Sequence, residues 1–164
     1  MELSRLRPGE LIAAAGGVAL LVVMFFDWYA AGGTTKVAGR DITISVGFTA
    51  WEAFGITDIL LALAALIAIG LAVITAARRS PALPVAASVI TSTTGVLATL
   101  LVLYRILNQP GPNDAIGVGA GAWIGLAACL GVFLGAWLSL SDERPRPADP
   151  VPPVPERRPT PART

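Results

Sequence analysis

The sequence predicts an all-α membrane protein, a four-transmembrane-helix antiparallel bundle with a small extracellular β-hairpin in its first outer loop. Three observations lead there. Hydrophobic residues make up 54% of the 164 and charged residues only 14%, with a mean hydropathy of +0.69, too little polar surface for a dispersed soluble domain. The charges cluster in short segments that separate four apolar stretches, each near the ~20 residues a helix needs to cross a ~30 Å hydrocarbon core. One connecting segment, Ile42-Thr43-Ile44-Ser45-Val46, alternates apolar and polar side chains as a half-covered strand does.

The spans are read at about residues 10–31, 57–77, 84–107 and 115–140. Each is too long for a strand and too uniformly apolar for the amphipathic helix of a soluble protein. The first follows Arg5 and Arg7, as a signal peptide would. Its apolar run ends in Asp27-Trp28-Tyr29 and not in a small-x-small cleavage site, so it reads as an uncleaved anchor.

Orientation follows from the cations. Arg5, Arg7, Arg78, Arg79, Arg144, Arg146, Arg157, Arg158 and Arg163 fall on one side, and Lys36, Arg40 and Arg105 on the other. Both termini are therefore expected in the cytoplasm, with the chain a multi-pass protein of a bacterial plasma (inner) membrane. Trp28, Tyr29, Trp51 and Tyr104 would mark the outer interface and Trp137 the inner one.

The outer loop, residues 32–56, is the only long one. Thr34 to Val37 can pair with Ile42 to Val46 through a turn at residues 38–41; the alternative is an irregular loop. Phe48, Trp51 and Phe54 return the chain to the membrane and form a candidate interaction patch. The inner loop Arg78-Arg79-Ser80-Pro81 is short enough to make spans two and three antiparallel neighbours. The second outer loop, residues 108–113, has strong breaker chemistry, with Asn113 or Asp114 placed to cap the fourth helix. Residues 141–164 are proline-rich with few apolar side chains, which reads as a disordered cytoplasmic tail. Pro147, Pro150 and Pro153 repeat at the polyproline II period.

Helices in lipid associate through small residues that let backbones approach. Gly117, Gly121, Gly125, Gly131 and Gly135 supply these in span four, and Ser88, Ser92, Gly95 and Thr99 share one face of span three. Ala13 and Gly17, and Ala64 and Ala68, serve spans one and two. One tightly packed bundle is the simplest reading; a homo-oligomer joined by one such face is the sharper one. Thr91 to Thr94 sit mid-span, where hydroxyls bond the carbonyl four residues back or line a solute path.

Asp27 lies about 25 Å along a helix from Glu10, and Asp58 and Arg105 lie about 30 Å from Arg78 and Pro84. All three reach one outer level, where charges near hydrocarbon pair or face water. Arg105 is therefore expected to pair with Asp58, Asp27 or both, as a clasp between spans one, two and three. The functional alternative is an ion-linked site or a catalytic carboxylate pair. A cap of the second span by Asp58 or Thr57 is the structural one.

Several classes are disfavoured. The net charge of +1 gives no field for nucleic acid. There is no histidine, and Cys129 is the single cysteine, which leaves no intrachain disulfide. No metalloprotease, dithiol, hydrolase-elbow or Walker pattern occurs, so no catalytic, metal or cofactor residue is assigned and no cofactor is expected. The expected partners are the lipid bilayer and a membrane-protein partner or a second copy. The leading reading is a non-enzymatic structural or accessory subunit acting through protein or lipid interactions. The alternatives are a small-solute transporter or channel component, and an intramembrane enzyme using Asp27 or Asp58.

Phe25-Phe26-Asp27-Trp28-Tyr29, Trp51-Glu52-Ala53-Phe54 and Gly121-Ala122-Trp123 resemble the small, uncharacterised four-span membrane proteins of actinobacterial-type genomes over about residues 8–141. That resemblance implies topology and no activity. The layout also resembles claudins and related tetraspan proteins, with a β-containing first outer loop and a short second one. The claudin signature, Gly-Leu-Trp followed by two cysteines, is absent, so this likeness is one of layout.

Overall fold

The computed structural model describes residues 6–77, 82–111 and 116–142. The chain runs α1 (Pro8–Val23), β1 (Asp27–Val37), β2 (Arg40–Thr49), α2 (Ala50–Ala53), α3 (Ile56–Ala77), α4 (Ala82–Leu107), β3 (Ile116–Val118) and α5 (Ala120–Asp142). The inner loop at residues 78–81, the cap residues Asn113 and Asp114, and the proline-rich tail from residue 143 lie outside the described residues.

Three helices are long and apolar enough to cross a membrane: Ile56–Ala77, Ala86–Leu107 and Ala120–Ser141. The first apolar helix is shorter than the expected span. α1 has 16 residues, about 24 Å at 1.5 Å per residue, and stops at Val23 where the sequence predicts helix to residue 31. The cause is tertiary. The Trp28 indole donates to the Val23 carbonyl at 2.8 Å, taking an acceptor that a continuing helix would use. From Asp27 onward the backbone finds ladder partners in β2 and, at Tyr29 to Ala31, in β3. Both sides of the break are apolar and no Gly or Pro intervenes before Gly32, so periodicity carries no stop signal.

The four long helices form a ring in which α1 lies between α5 and α3, and α4 closes the other side. Neighbours are antiparallel. Gly9 meets Ser139 while Gly16 meets Ala128 and Val132; Ser88 meets Ser139 while Gly95 meets Phe133. Arg105 meets Thr57 at the α3–α4 end. Large apolar side chains such as Val18, Leu63, Leu66, Leu97, Ile124 and Leu134 point outward and are exposed.

The ring is joined differently at its two ends. Near the chain termini, backbones touch. A Cβ on Gly9 would lie 2.6 Å from the Gly135 carbonyl oxygen, and one on Gly135 would run into the backbone of Ala13. Glu10, 1% exposed, accepts the Arg7 N–H at 3.0 Å and the Thr75 hydroxyl at 3.1 Å. Ser88 and Ser139 hydroxyls pair at 3.3 Å. At the opposite end the core is bulky: Leu20, Met24, Trp28, Tyr29, Phe54 and Val102 pack together.

The hairpin is longer than the expected one and belongs to a three-stranded antiparallel sheet, order β2-β1-β3. Thr34 pairs with Thr43, and Val37 with Arg40. Ala38 and Gly39 make the two-residue turn with φ of 52° and 77°, the mirror-type turn that matches strand twist. Residues 116–118, expected to begin the fourth span, form β3 instead, pairing Tyr29 with Val118 and Ala31 with Ile116, and α5 starts only at Ala120. That strand has three residues beside a breaker-rich loop, and no sequence pattern announces it.

Candidate functional site

The most organised polar and aromatic chemistry lies where the sheet meets the helix ends. A register shift between Asp27 and Tyr29 turns consecutive side chains toward different surroundings. Trp28 enters the helical core, where a Cβ on Gly125 would meet its ring at 2.5 Å and one on Gly121 would meet it at 2.8 Å. These two α5 glycines form a slot for an indole. Gly119 and Gly121 also let the Asp27 carbonyl approach, at 2.6 Å and 2.7 Å from where a Cβ would stand. Gly117 lies in β3 and not in a helix. The expected helix-packing row therefore divides: Gly117, Gly121 and Gly125 serve the sheet and Trp28, while Gly131 and Gly135 lie along α1. Spacing reveals that something approaches closely, and not what approaches.

Tyr29 is fully buried, and its hydroxyl donates to the Arg105 carbonyl at 2.9 Å. Burial pushes its phenol up to about 12, with the Arg105 charge acting in the opposite direction. Phe54 stands edge-on to both Trp28 and Tyr29, with centroids at 5.5 Å and 5.7 Å. The Arg105 guanidinium covers the Phe54 ring at 5.0 Å and donates to the Thr57 hydroxyl at 3.2 Å.

This corrects the expected ionic clasp. Among the described residues, no carboxylate lies within ion-pair distance of Arg105. Asp27 is exposed and sits over Gly47. Asp58 is 7% exposed and accepts the Ile59 N–H at 2.8 Å. α3 begins at Ile56, so Thr57 and Asp58 lie inside its first turn and are not caps. Asp27 is carried by β1 and not by a helix, while Asp58 and Arg105, on α3 and α4, turn to different partners. A hydroxyl and an aromatic face satisfy Arg105 instead.

The expected aromatic patch also divides. Phe54 is 5% exposed in the core, Phe48 is half-buried, and Trp51 faces outward against Phe25 at 5.9 Å. The spacing 48, 51, 54 resembles one helical face. The chain is strand to Thr49, one helical turn to Ala53, and extended at Phe54, so the three side chains diverge. Trp28 and Tyr29, expected at the membrane interface, are core residues. Tyr104 is exposed and accepts an Asn108 amide hydrogen at 2.7 Å.

In α4, Thr91, Thr93, Thr94 and Thr99 each donate to the carbonyl four residues back, at 2.6 to 2.9 Å. Ser88 and Ser92 are buried. The threonine hydroxyls are spent within the helix, and that of Ser88 pairs with Ser139.

A cavity of about 160 Å³ opens beside the sheet base, lined by Tyr29, Phe48, Glu52, Ala53, Pro110 and Ile116. Glu52 is held by the Thr49 N–H and hydroxyl, both at 2.9 Å. The Thr49 N–H, then its hydroxyl, hold the Glu52 carboxyl below its usual value, against a smaller opposing effect of burial. Sequence reading missed this cavity because its walls come from four separate segments.

Beyond the base, the ribbon of residues 33–47 is exposed on both faces. Cross-strand partners share a face. The register therefore puts Ala31, Thr35, Val37, Arg40, Ile42, Ile44 and Val46 on one side, continuous with Ile116, Tyr29 and Phe48, so that this face is apolar apart from Thr35 and, at its tip, Arg40. The other side carries Thr34, Lys36, Asp41, Thr43 and Ser45, with Thr34 and Thr43 hydroxyls 3.1 Å apart. Ile42, Ile44 and Val46 are 43%, 59% and 53% exposed.

The chain matches no protein-family model and no curated protein at a significant level.

Proposed function

We propose that this chain is a four-span membrane protein that acts through interactions and not catalysis, as an accessory subunit whose β-ribbon docks a protein partner outside the bilayer. One observation carries the reading: among the described residues, a largely apolar ribbon face continuous with the sheet base is exposed, with Ile42, Ile44 and Val46 along it. Such a face is normally covered by a partner. The fourth crossing is α1 extended by the Met24–Phe26 turn, whose Phe25 and Phe26 are 68% and 58% exposed. The apolar outward faces of the ring suit lipid contact. Both termini lie in the cytoplasm and the sheet outside, in line with the distribution of Lys and Arg.

Two measurements test this. In intact cells, an impermeant maleimide labels Thr43→Cys but not Thr160→Cys; the reverse pattern inverts the topology. Photo-crosslinking from position 44 in native membranes gives one discrete adduct, which Ile42→Ser with Ile44→Ser abolishes without lowering the thermal midpoint of the bundle. A ribbon that crosslinks to nothing but lipid sinks the docking role.

A further inference from the structure

The cavity at the sheet base is unusual in what it offers a ligand. Phe48 is a half-buried wall, Tyr29 closes the floor, and Ala53, Pro110 and Ile116 complete an apolar lining. Glu52 is the one carboxylate among the described residues that line the cavity. The neighbouring side-chain donors are already committed: the Tyr29 hydroxyl donates to the Arg105 carbonyl, and the Thr49 hydroxyl donates to Glu52. Pro110 has no N–H. Among the described residues that line the cavity, an anion would find a carboxylate and no uncommitted side-chain donor. A methylated or alkyl-substituted ammonium needs no donor; it needs a negative charge, π-faces and apolar walls.

We propose that this cavity binds an alkylammonium group, with Glu52 as counter-ion, Phe48 as the aromatic surface, and Ala53, Pro110 and Ile116 in contact with its alkyl groups. Its volume of about 160 Å³, at roughly 30 Å³ per water, holds about five heavy atoms, the size of a tetramethylammonium head. The carboxylate is pre-placed by the two Thr49 bonds, so little ordering accompanies binding. Arg105 does not line the cavity, but its charge reaches Tyr29 and opposes a bound cation; Glu52 is the group that overcomes it. The ammonium comes from a zwitterionic lipid headgroup or from a free amine. The site does not depend on the docking role of the ribbon, since every residue named in it belongs to one chain.

The full chain in maltoside detergent is titrated with choline and, at matched ionic strength, with its uncharged carbon isostere dimethylbutanol, following tryptophan fluorescence. Choline binds saturably and the isostere at least about tenfold more weakly. Glu52→Gln weakens choline about tenfold, and Phe48→Leu weakens it while the thermal midpoint is kept. Equal binding of choline and the isostere overturns the proposal, as does unchanged affinity in Glu52→Gln. Native mass spectrometry after reconstitution separates the sources. Retention of a choline lipid over a glycerol-headgroup lipid, lost in Glu52→Gln, assigns a headgroup site; choline binding without lipid retention assigns a free-amine site.

Discussion

The two ends of the helical ring hold together by opposite means. Near the termini, α1 and α5 touch backbone to backbone through Gly9, Ala13, Gly16 and Gly135, and the polar groups that close approach would strand are paired, Glu10 with Thr75 and Ser88 with Ser139. At the sheet end the core is filled by Trp28, Tyr29 and Phe54. The comparison teaches that one small-residue pattern does two jobs. Along α1 the glycines remove bulk so that a helix can approach; at Gly121 and Gly125 they remove bulk so that an indole can.

The widest test breaks the backbone seam. In Gly135→Val the new side chain meets the backbone of Gly9 and Ala13, which cannot rotate away. The expected result is loss of the monodisperse folded species on size-exclusion chromatography, beyond the 1–3 kcal/mol that overpacking typically costs. Trp28→Ala tests the aromatic end. It empties the slot beside Gly125 and should cost about 3–5 kcal/mol in denaturant unfolding in detergent.

Tyr29→Phe removes one hydrogen bond to the Arg105 carbonyl and should cost about 1 kcal/mol. It also sharpens the pH behaviour. With the phenol pushed up to about 12 in the fold against about 10 in the unfolded chain, the unfolded state loses its proton first. Stability from this group is therefore intact below about pH 10 and falls between about pH 10 and 12. Thermal midpoints of wild type should drop across that window by more than those of Tyr29→Phe. The smallest effect is the control for the seam. A Cβ at Gly70 meets nothing within 4 Å, so Gly70→Ala should be neutral or raise stability by up to about 1 kcal/mol. A large loss there would mean that glycine frequency, and not contact, governs α1–α5 packing.

Much of the architecture is legible in the residues. The three long helices follow from apolar length, and the hairpin from the alternation of Ile42 to Val46. What was not legible has a common cause. The end of α1 is set by Trp28 reaching back to Val23 and by two strands pairing with β1; a run of apolar residues reads alike on either side of that break. β3 exists because the segment before α5 meets β1, and three residues carry too little pattern to say so. Depth along a helix is no guide to Asp27, which lies on β1, and for Asp58 and Arg105 rotation about each helix axis decides which groups meet. The spacing of Phe48, Trp51 and Phe54 mimics a helical face in a segment that changes conformation twice.

The sequence by itself determined that this chain carries apolar helices of membrane length and a hairpin between the first two apolar helices, because burial in lipid and strand alternation are written in local composition and period. Only the tertiary structure decided that the hairpin is two strands of a three-stranded sheet, that its base is core while its far face is bare, and that Arg105 rests on Phe54 and Thr57 and not on a carboxylate. Those outcomes depend on contacts between segments far apart in the chain, which no local pattern encodes.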